Sequence, residues 1–235
     1  MNKRAIVFLH GYMGSSKQFI SLINALNFDS ATERYNIVLP GHETSLDEFT
    51  GKKRKDWQNF VDDFINKLRF NYAALILVGH SMGGLLLINH AIKFPDKIQA
   101  VYAISLPLHI KITLNGIKIR LGTLSNTTDN KYITAAKDMC GISGITVMNS
   151  YKLLANTSEL IKIIKHTRKS LPALTVPLTV INSVNDEIIP MKTARLVKRI
   201  CPTVTVITLN EASHFWFSEQ ETKIIAACID NICKE

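Results

Sequence analysis

The chain contains no run of eighteen or more apolar residues, so no helix able to span a bilayer is expected from it. Cysteine is scarce. The four thiols, Cys140, Cys201, Cys228 and Cys233, form no CxxC pair and no Cys/His cluster at zinc-ligand spacing. That excludes the familiar zinc and dithiol motifs and leaves free, buried thiols as the expectation. No metal and no cofactor is required. Acidic residues are also few, 19 against 28 Lys and Arg, giving a formal net charge of +9. The excess is local. From Lys111 to Lys169 ten bases (Lys111, Lys118, Arg120, Lys131, Lys137, Lys152, Lys162, Lys165, Arg168, Lys169) face three acids (Asp129, Asp138, Glu159), which accounts for seven of the nine charges. These bases lack interleaved aromatics and match no nucleic-acid-binding module, so nucleic acid is not an expected partner. Internal repeats and low-complexity segments are absent as well. The basic start and the apolar run AIVFL superficially resemble a secretory signal, but the run is too short and His10 follows it at once. It reads as a buried strand, and a cytoplasmic location is expected.

What the chain does have is alternation. AIVFLH (5–10), YNIVLP (35–40), ALILVGH (74–80), AVYAIS (100–105), PLTVINS (177–183) and TVTVITL (203–209) are short and nearly apolar throughout. Such runs suit parallel strands covered on both faces. Between them, 16–27, 55–70, 83–94, 191–200 and 221–234 carry apolar residues at three- and four-residue spacing, as amphipathic helices do. Repeated strand–helix units predict an α/β protein with a mostly parallel, doubly wound sheet of about six strands. Residues 107–172 break the alternation. They are helix-like and hold no convincing strand pair. The expectation is a core built from 1–106 and 173–235, with 107–172 inserted as a helical cap over the carboxyl ends of the strands.

One motif points to chemistry. Gly79-His80-Ser81-Met82-Gly83 follows the strand ALILV and opens the helical run GLLLINHAIKF. That is the strand–turn–helix setting of a nucleophile elbow, in which a tight turn holds a serine hydroxyl out from the sheet edge. Glycine at 79 and 83 avoids collisions across the turn, and Gly84 lets the helix approach the sheet. The plain alternative is a glycine-rich turn with an incidental serine. A serine needs a base to take its proton and an acid to orient that base. Among the later histidines, His90 falls inside the elbow helix, and His109 and His166 fall in the cap. His214, in the loop NEASHFW before the last helix, is well placed. Asp186 ends the strand PLTVINSVND; its neighbour Glu187 is a competing acid. The order Ser81, Asp186, His214 is one that such sheets use. An oxyanion formed at the substrate carbonyl needs preorganised donors. The Met82 N–H, at the start of the helix, is one candidate. The Tyr12 N–H, in the loop HGYMGSS after the first strand, is the other, which frees the Tyr12 side chain to line a pocket. Met13, Phe215 and Trp216 are candidate substrate contacts, although core packing explains them, and Phe217, equally well.

FLHGYMGSS, LPGHETSLDEF with the later DW, VGHSMGGLL, NSVNDEIIP and ASHFW together resemble the α/β-hydrolase superfamily, and within it the small bacterial carboxylesterases and monoacylglycerol lipases. The pieces are spread over nearly the whole chain. The resemblance implies an α/β-hydrolase fold and a serine esterase with Ser81 as nucleophile, Asp186 as acid, His214 as base, the Tyr12 and Met82 amides as oxyanion hole, and a cap that shapes the acyl site. Ser213 stands where the family commonly has glycine before the histidine. The first expectation is a serine carboxylesterase or lipase acting on short- to medium-chain esters. The second keeps the chemistry, on esters or thioesters, but has the basic cap recruit an acidic carrier protein or an anionic lipid surface. The third is a non-catalytic binding protein on a hydrolase scaffold.

Overall fold

The computed structural model describes residues 3–27, 32–111, 113–123 and 130–233. Asp129 and Lys234, which enter the charge and helix expectations above, lie outside them. In chain order the strands are β1 (Arg4–Leu9), β2 (Thr32–Ile37), β3 (Thr44–Ser45), β4 (Ala74–His80), β5 (Ile98–Ile104), β6 (Ile142–Ser143), β7 (Leu178–Ser183) and β8 (Thr205–Leu209). The helices are α1 (Ile20–Ala25), α2 (Leu46–Thr50), α3 (Arg54–Asn71), α4 (Met82–Lys93), α5 (Leu114–Thr123), α6 (Lys131–Asp138), α7 (Leu153–Ser170), α8 (Lys192–Ile200) and α9 (Glu219–Cys233).

Six strands form one sheet in the order β2-β1-β4-β5-β7-β8, and every pairing in it is parallel. Side chains alternate across a strand, so a strand covered on both faces must be apolar on both. In β1, Ala5, Val7 and Leu9 join one core with residues of α2, α3, α4, α7 and α8, while Ile6 and Phe8 join a second with residues of α1 and α9. The winding direction reverses between β1 and β4, because the chain lays β2 on one side of β1 and β4 on the other. In such a sheet the crevice for a ligand opens beyond the carboxyl ends of the strands at this reversal. The loop after β1 carries Tyr12, and the turn after β4 carries Ser81.

Some expected boundaries move. The second strand runs 32–37 rather than 35–40, because it ends where its partner β1 ends: Leu9 pairs with Ile37. The Leu39 amide leaves the ladder and donates to His10 Nε2 at 3.1 Å. The region 107–172 is mostly helical, as expected, but it does supply one strand. Ile142–Ser143 pairs in parallel with Thr44–Ser45, a contact too short to leave any periodicity in the sequence. The last helix of this region, α7, places Leu160, Ile163 and Ile164 in the same core as α3 and α4, and Thr167 Oγ donates to Asn89 Oδ1 of α4 at 2.9 Å. Among the described thiols the expectation of burial holds for Cys201; the side chain of Cys233 lies outside the described residues. Cys228 is half-buried, and Cys140 is exposed at the end of a cap helix rather than inside a packed face.

Trp57 of α3 anchors the first of the two cores. It is fully buried, its indole N–H donates to the Pro40 carbonyl at 3.1 Å, and its ring stacks on Phe49 at 5.9 Å between centroids. Truncating so large a buried ring leaves a cavity that the surroundings only partly fill. Trp57→Ala is expected to cost about 3–5 kcal/mol. Thermal denaturation checks this as a fall of roughly 10 °C in Tm; a shift within about 1 °C would contradict it.

Candidate active site

Ser81 sits between β4 and α4 with φ 51° and ψ −119°. For a side chain other than glycine this backbone is strained, and it persists only where the surroundings hold it. They do. The Ser81 amide donates to the Ile104 carbonyl at 2.8 Å. A β-carbon on Gly79 would run into the backbone of Gly83 and Gly84, and one on Gly83 into the carbonyl oxygens of Leu9 and His10. The two glycines therefore serve different contacts: Gly79 the turn itself, Gly83 the approach of α4 to β1. Met82 is the first residue of α4, and first-turn amides have no partner four residues back within the helix.

The loop after β1 lies directly over the serine. A β-carbon on Gly11 would be 2.9 Å from Ser81 Cβ. The Gly11 amide donates to Gln18 Oε1 at 2.9 Å, and its carbonyl accepts the Gly14 amide at 3.0 Å. Burial holds the His10 imidazole down to a pKa of about 4, so the ring is neutral. Its Nε2 accepts from Leu39, which leaves Nδ1–H to donate to the Gly11 carbonyl at 3.0 Å. Burial, and then the neighbouring His10, lower His42 to about 3; the two rings lie 4.7 Å apart. Sequence reading gave His10 and His42 no role, because nothing in their spacing shows that they buttress this loop.

The same loop is gripped from the other side by the cap. The Gly141 amide donates to the Met13 carbonyl at 2.8 Å, Ser15 Oγ donates to the Met139 carbonyl at 3.2 Å, and Gly14 and Cys140 form an antiparallel bridge. Met13 is held at φ 58°. A β-carbon on Gly141 would run into the Gly14 carbonyl.

His214 is fixed at three points. Its Nδ1 donates to Asp186 Oδ2 at 3.0 Å. Its backbone amide donates to Glu187 Oε2 at 3.0 Å, and its carbonyl accepts from His80 Nε2 at 2.9 Å. Of the two acids, Asp186 faces the ring and Glu187 faces the main chain. Asp186 Oδ1 also accepts the amides of Ile188 and Ile189, at 2.9 and 2.7 Å. Ser213 closes the turn that carries the histidine: its hydroxyl accepts the Trp216 amide at 3.0 Å and its amide donates to the Trp216 carbonyl at 2.8 Å.

Electrostatics follow from this packing. Burial alone would push the His214 pKa down, but the Asp186 charge and hydrogen bond outweigh it and hold the ring above the ordinary imidazole value. Burial would raise Asp186, but the His214 charge and the hydrogen bonds it accepts keep the carboxyl below the usual range. His80, 4.9 Å from His214 between ring centroids, is depressed to about 3 by burial and then by His214. It is a neutral donor. Among the described residues no hydrogen bond joins Ser81 to His214; with Nδ1 on Asp186, the free edge of the ring is Nε2. His90 is committed elsewhere, its Nδ1 on Asp62 at 2.9 Å.

A cavity of about 310 Å³ adjoins these groups. Its walls include Tyr12, Met13, Glu187 and Phe215, the chain neighbours of Gly11, Asp186 and His214, and, from the region 107–172, Ile119, Ala136, Met139, Ile142 and Leu153. The Tyr12 hydroxyl lies 3.3 Å from Thr157 Oγ1. Of the candidate substrate contacts, Met13 and Phe215 line this cavity. Trp216 lines a smaller one of about 230 Å³ with His80 and Phe217, where Lys131 Nζ stands 3.7 Å over its ring. Among the described residues no group of three or more His, Cys, Asp or Glu side chains is arranged to hold a metal ion.

Sheet order, elbow and loop arrangement define an α/β hydrolase, and the chain belongs to this superfamily: residues 1–221 match the model of the family described as serine aminopeptidase, S33. A 2-(acetamidomethylene)succinate hydrolase of Mesorhizobium japonicum is 23% identical over 96% of this chain and 86% of its own. In structure, a monoacylglycerol lipase of Paleococcus ferrophilus superposes with a TM-score of 0.70 at 21% identity, over 97% of this chain and 94% of that one. A carboxylesterase of Nitrososphaera gargenis does so with a TM-score of 0.69 at 16% identity, over 99% of this chain and 92% of that one.

Proposed function

We propose that the protein is a serine carboxylic ester hydrolase, with Ser81 as nucleophile, His214 as general base and Asp186 as the acid that orients it. The observation that carries the reading is His214 held at ring, amide and carbonyl, with Nε2 as the ring's free edge and its carbonyl on His80, the chain neighbour of a serine on a strained elbow. Nε2 takes the Ser81 proton as the hydroxyl attacks the ester carbonyl. The amides of Tyr12 and Met82 receive the oxyanion. The alcohol leaves with the proton returned by His214, and water clears the acyl-enzyme by the same route. A Ser81–His214 hydrogen bond forms on substrate binding, since catalytic hydrogen bonds are commonly long or absent in the free enzyme. Residues 107–172 act as the cap, and no cofactor takes part.

An ester fits the cavity better than a peptide amino terminus. A charged amine calls for an accessible carboxylate, and Glu187, the carboxylate among the described wall residues, is buried, with Oε2 accepting the His214 amide. The mostly apolar lining suits an acyl chain. Hydrolase, lipase and carboxylesterase activities named for the relatives above agree with this chemistry. A panel of p-nitrophenyl esters of increasing acyl length tests the reading: turnover with a preference for short to medium chains is expected, and no turnover of any member above background would overturn it.

The grip of the cap on the Tyr12 loop gives a second check. Gly141→Val cannot keep the Gly141–Met13 hydrogen bond, so the loop should lose its set position. The expected loss in kcat approaches that of one oxyanion donor, about 10²–10³. Steady-state kinetics on a short soluble ester, with circular dichroism to confirm folding, reads it; a folded variant with unchanged kcat would separate the cap from the oxyanion site.

A further inference from the structure

Exposed apolar side chains concentrate on the region between β5 and β7. Of the thirteen large apolar residues exposed among the described residues, nine lie between Ile110 and Ile161. Seven of these nine fall into two stripes. On α5, Leu114, Ile117 and Leu121 recur at helical spacing, with Leu114 80% exposed. They occupy the face opposite Gly116 and Ile119, which line the 310 Å³ cavity. The second stripe is Val147, Met148, Tyr151 and Leu154, with Met148 89% exposed, and it flanks Ile145, Ser150 and Leu153 of the same cavity. Single exposed apolar residues are ordinary, but contiguous stripes without a core to cover mark a surface that meets something. Here both stripes sit on segments that also supply wall residues of one cavity.

Charge identifies the occupant. Lys111 and Lys118 are exposed beside the α5 stripe, and 111–169 as a whole carries ten bases against three acids. Exposed apolar residues interleaved with lysine are the chemistry of a surface that lies on an anionic bilayer, with the apolar residues at the acyl boundary and the ammonium groups at the phosphates. No helix among the described residues is long and apolar enough to cross a membrane, so contact would be peripheral.

We infer that this face docks the protein on an anionic lipid surface, with the cavity opening turned toward the bilayer. The docking stands on the exposed stripes and charge alone; that it delivers lipid esters to the cavity rests on the ester hydrolase reading.

Co-sedimentation with vesicles tests it, using Ser81→Ala protein so that no lipid is consumed. The protein should pellet with phosphatidylcholine vesicles containing phosphatidylglycerol, stay in solution with phosphatidylcholine alone, and be released by high salt. Lys111→Gln with Lys118→Gln should weaken binding about thirtyfold. Leu114→Ser with Met148→Ser should weaken it about tenfold or more. With Ser81 restored, both pairs should keep turnover of a soluble short ester within about twofold. Failure to bind the anionic vesicles, or equal binding by all variants, would overturn the inference. So would capture of an acidic acyl carrier protein without vesicle binding. Salt-sensitive vesicle binding by a protein that cleaves no ester would uphold the docking and remove the esterase reading.

Discussion

Ser81→Ala is expected to lower kcat for carboxylic esters by about 10⁶, the scale on which a serine hydrolase loses its nucleophile, and to leave the fold intact. Both halves follow from the site. The hydroxyl is the only group that alanine lacks. Among the described residues it makes no hydrogen bond, so its removal orphans no donor or acceptor. Backbone strain at φ 51° is the same for alanine as for serine. Stability should therefore stay within about 0.5 kcal/mol of the parent. What remains of activity, roughly 10³–10⁴ above the uncatalysed rate, would come from the oxyanion donors and binding. Kinetics with p-nitrophenyl esters and thermal denaturation read the two halves separately. A variant that unfolds, or one that retains activity within tenfold, would contradict one half or the other.

The second large effect is expected at Asp186→Asn, a loss of about 10⁴ in kcat. The carboxylate does two things: Oδ1 accepts the amides of Ile188 and Ile189, and Oδ2 accepts from His214 Nδ1. The two main-chain donors require an oxygen, so an asparagine would keep its carbonyl there and turn its amide toward the ring. Nδ1 would then have to accept, which places the ring proton on Nε2. A ring in that tautomer cannot take the Ser81 proton. The pH profile changes too. The base works when neutral, so activity falls as pH drops through the His214 pKa. In the parent, Asp186 outweighs burial and holds that pKa above 6.5, so the acid limb of kcat/KM should lie above it. Without the Asp186 charge, burial is opposed by the smaller influence of Glu187, and the limb of the residual activity should move to lower pH. An unmoved limb would show that Asp186 does not face the working base.

The parts of this site that are legible in the sequence are those where a side-chain type is forced. Gly79 and Gly83 stand where a β-carbon would meet backbone, so the elbow is visible as a pattern. Asp186 and His214 are polar residues at the ends of apolar strands, and their order along the chain matches the sheet. What stayed hidden is made mostly of main-chain contacts. Glu187 binds the His214 amide and His80 its carbonyl; from sequence, Glu187 could only be a rival acid and His80 a member of the elbow motif. Gly141 holds the Met13 carbonyl, and nothing in GISG announces it. Ser213, a departure from the commoner glycine, repays its side chain by accepting the Trp216 amide. Trp216 shows the limit of reading by proximity: Phe215 borders both cavities, whereas Trp216, its neighbour, borders only the smaller one, under Lys131.

The account turns on a reactive hydroxyl at position 81, and intact-protein mass spectrometry after exposure to a fluorophosphonate measures that directly. It predicts one adduct per chain, mapped to the peptide containing Ser81, with labelling abolished in Ser81→Ala and slowed severely in Asp186→Asn. Absence of any adduct on the folded parent protein, or an adduct on another residue that persists in Ser81→Ala, would contradict it.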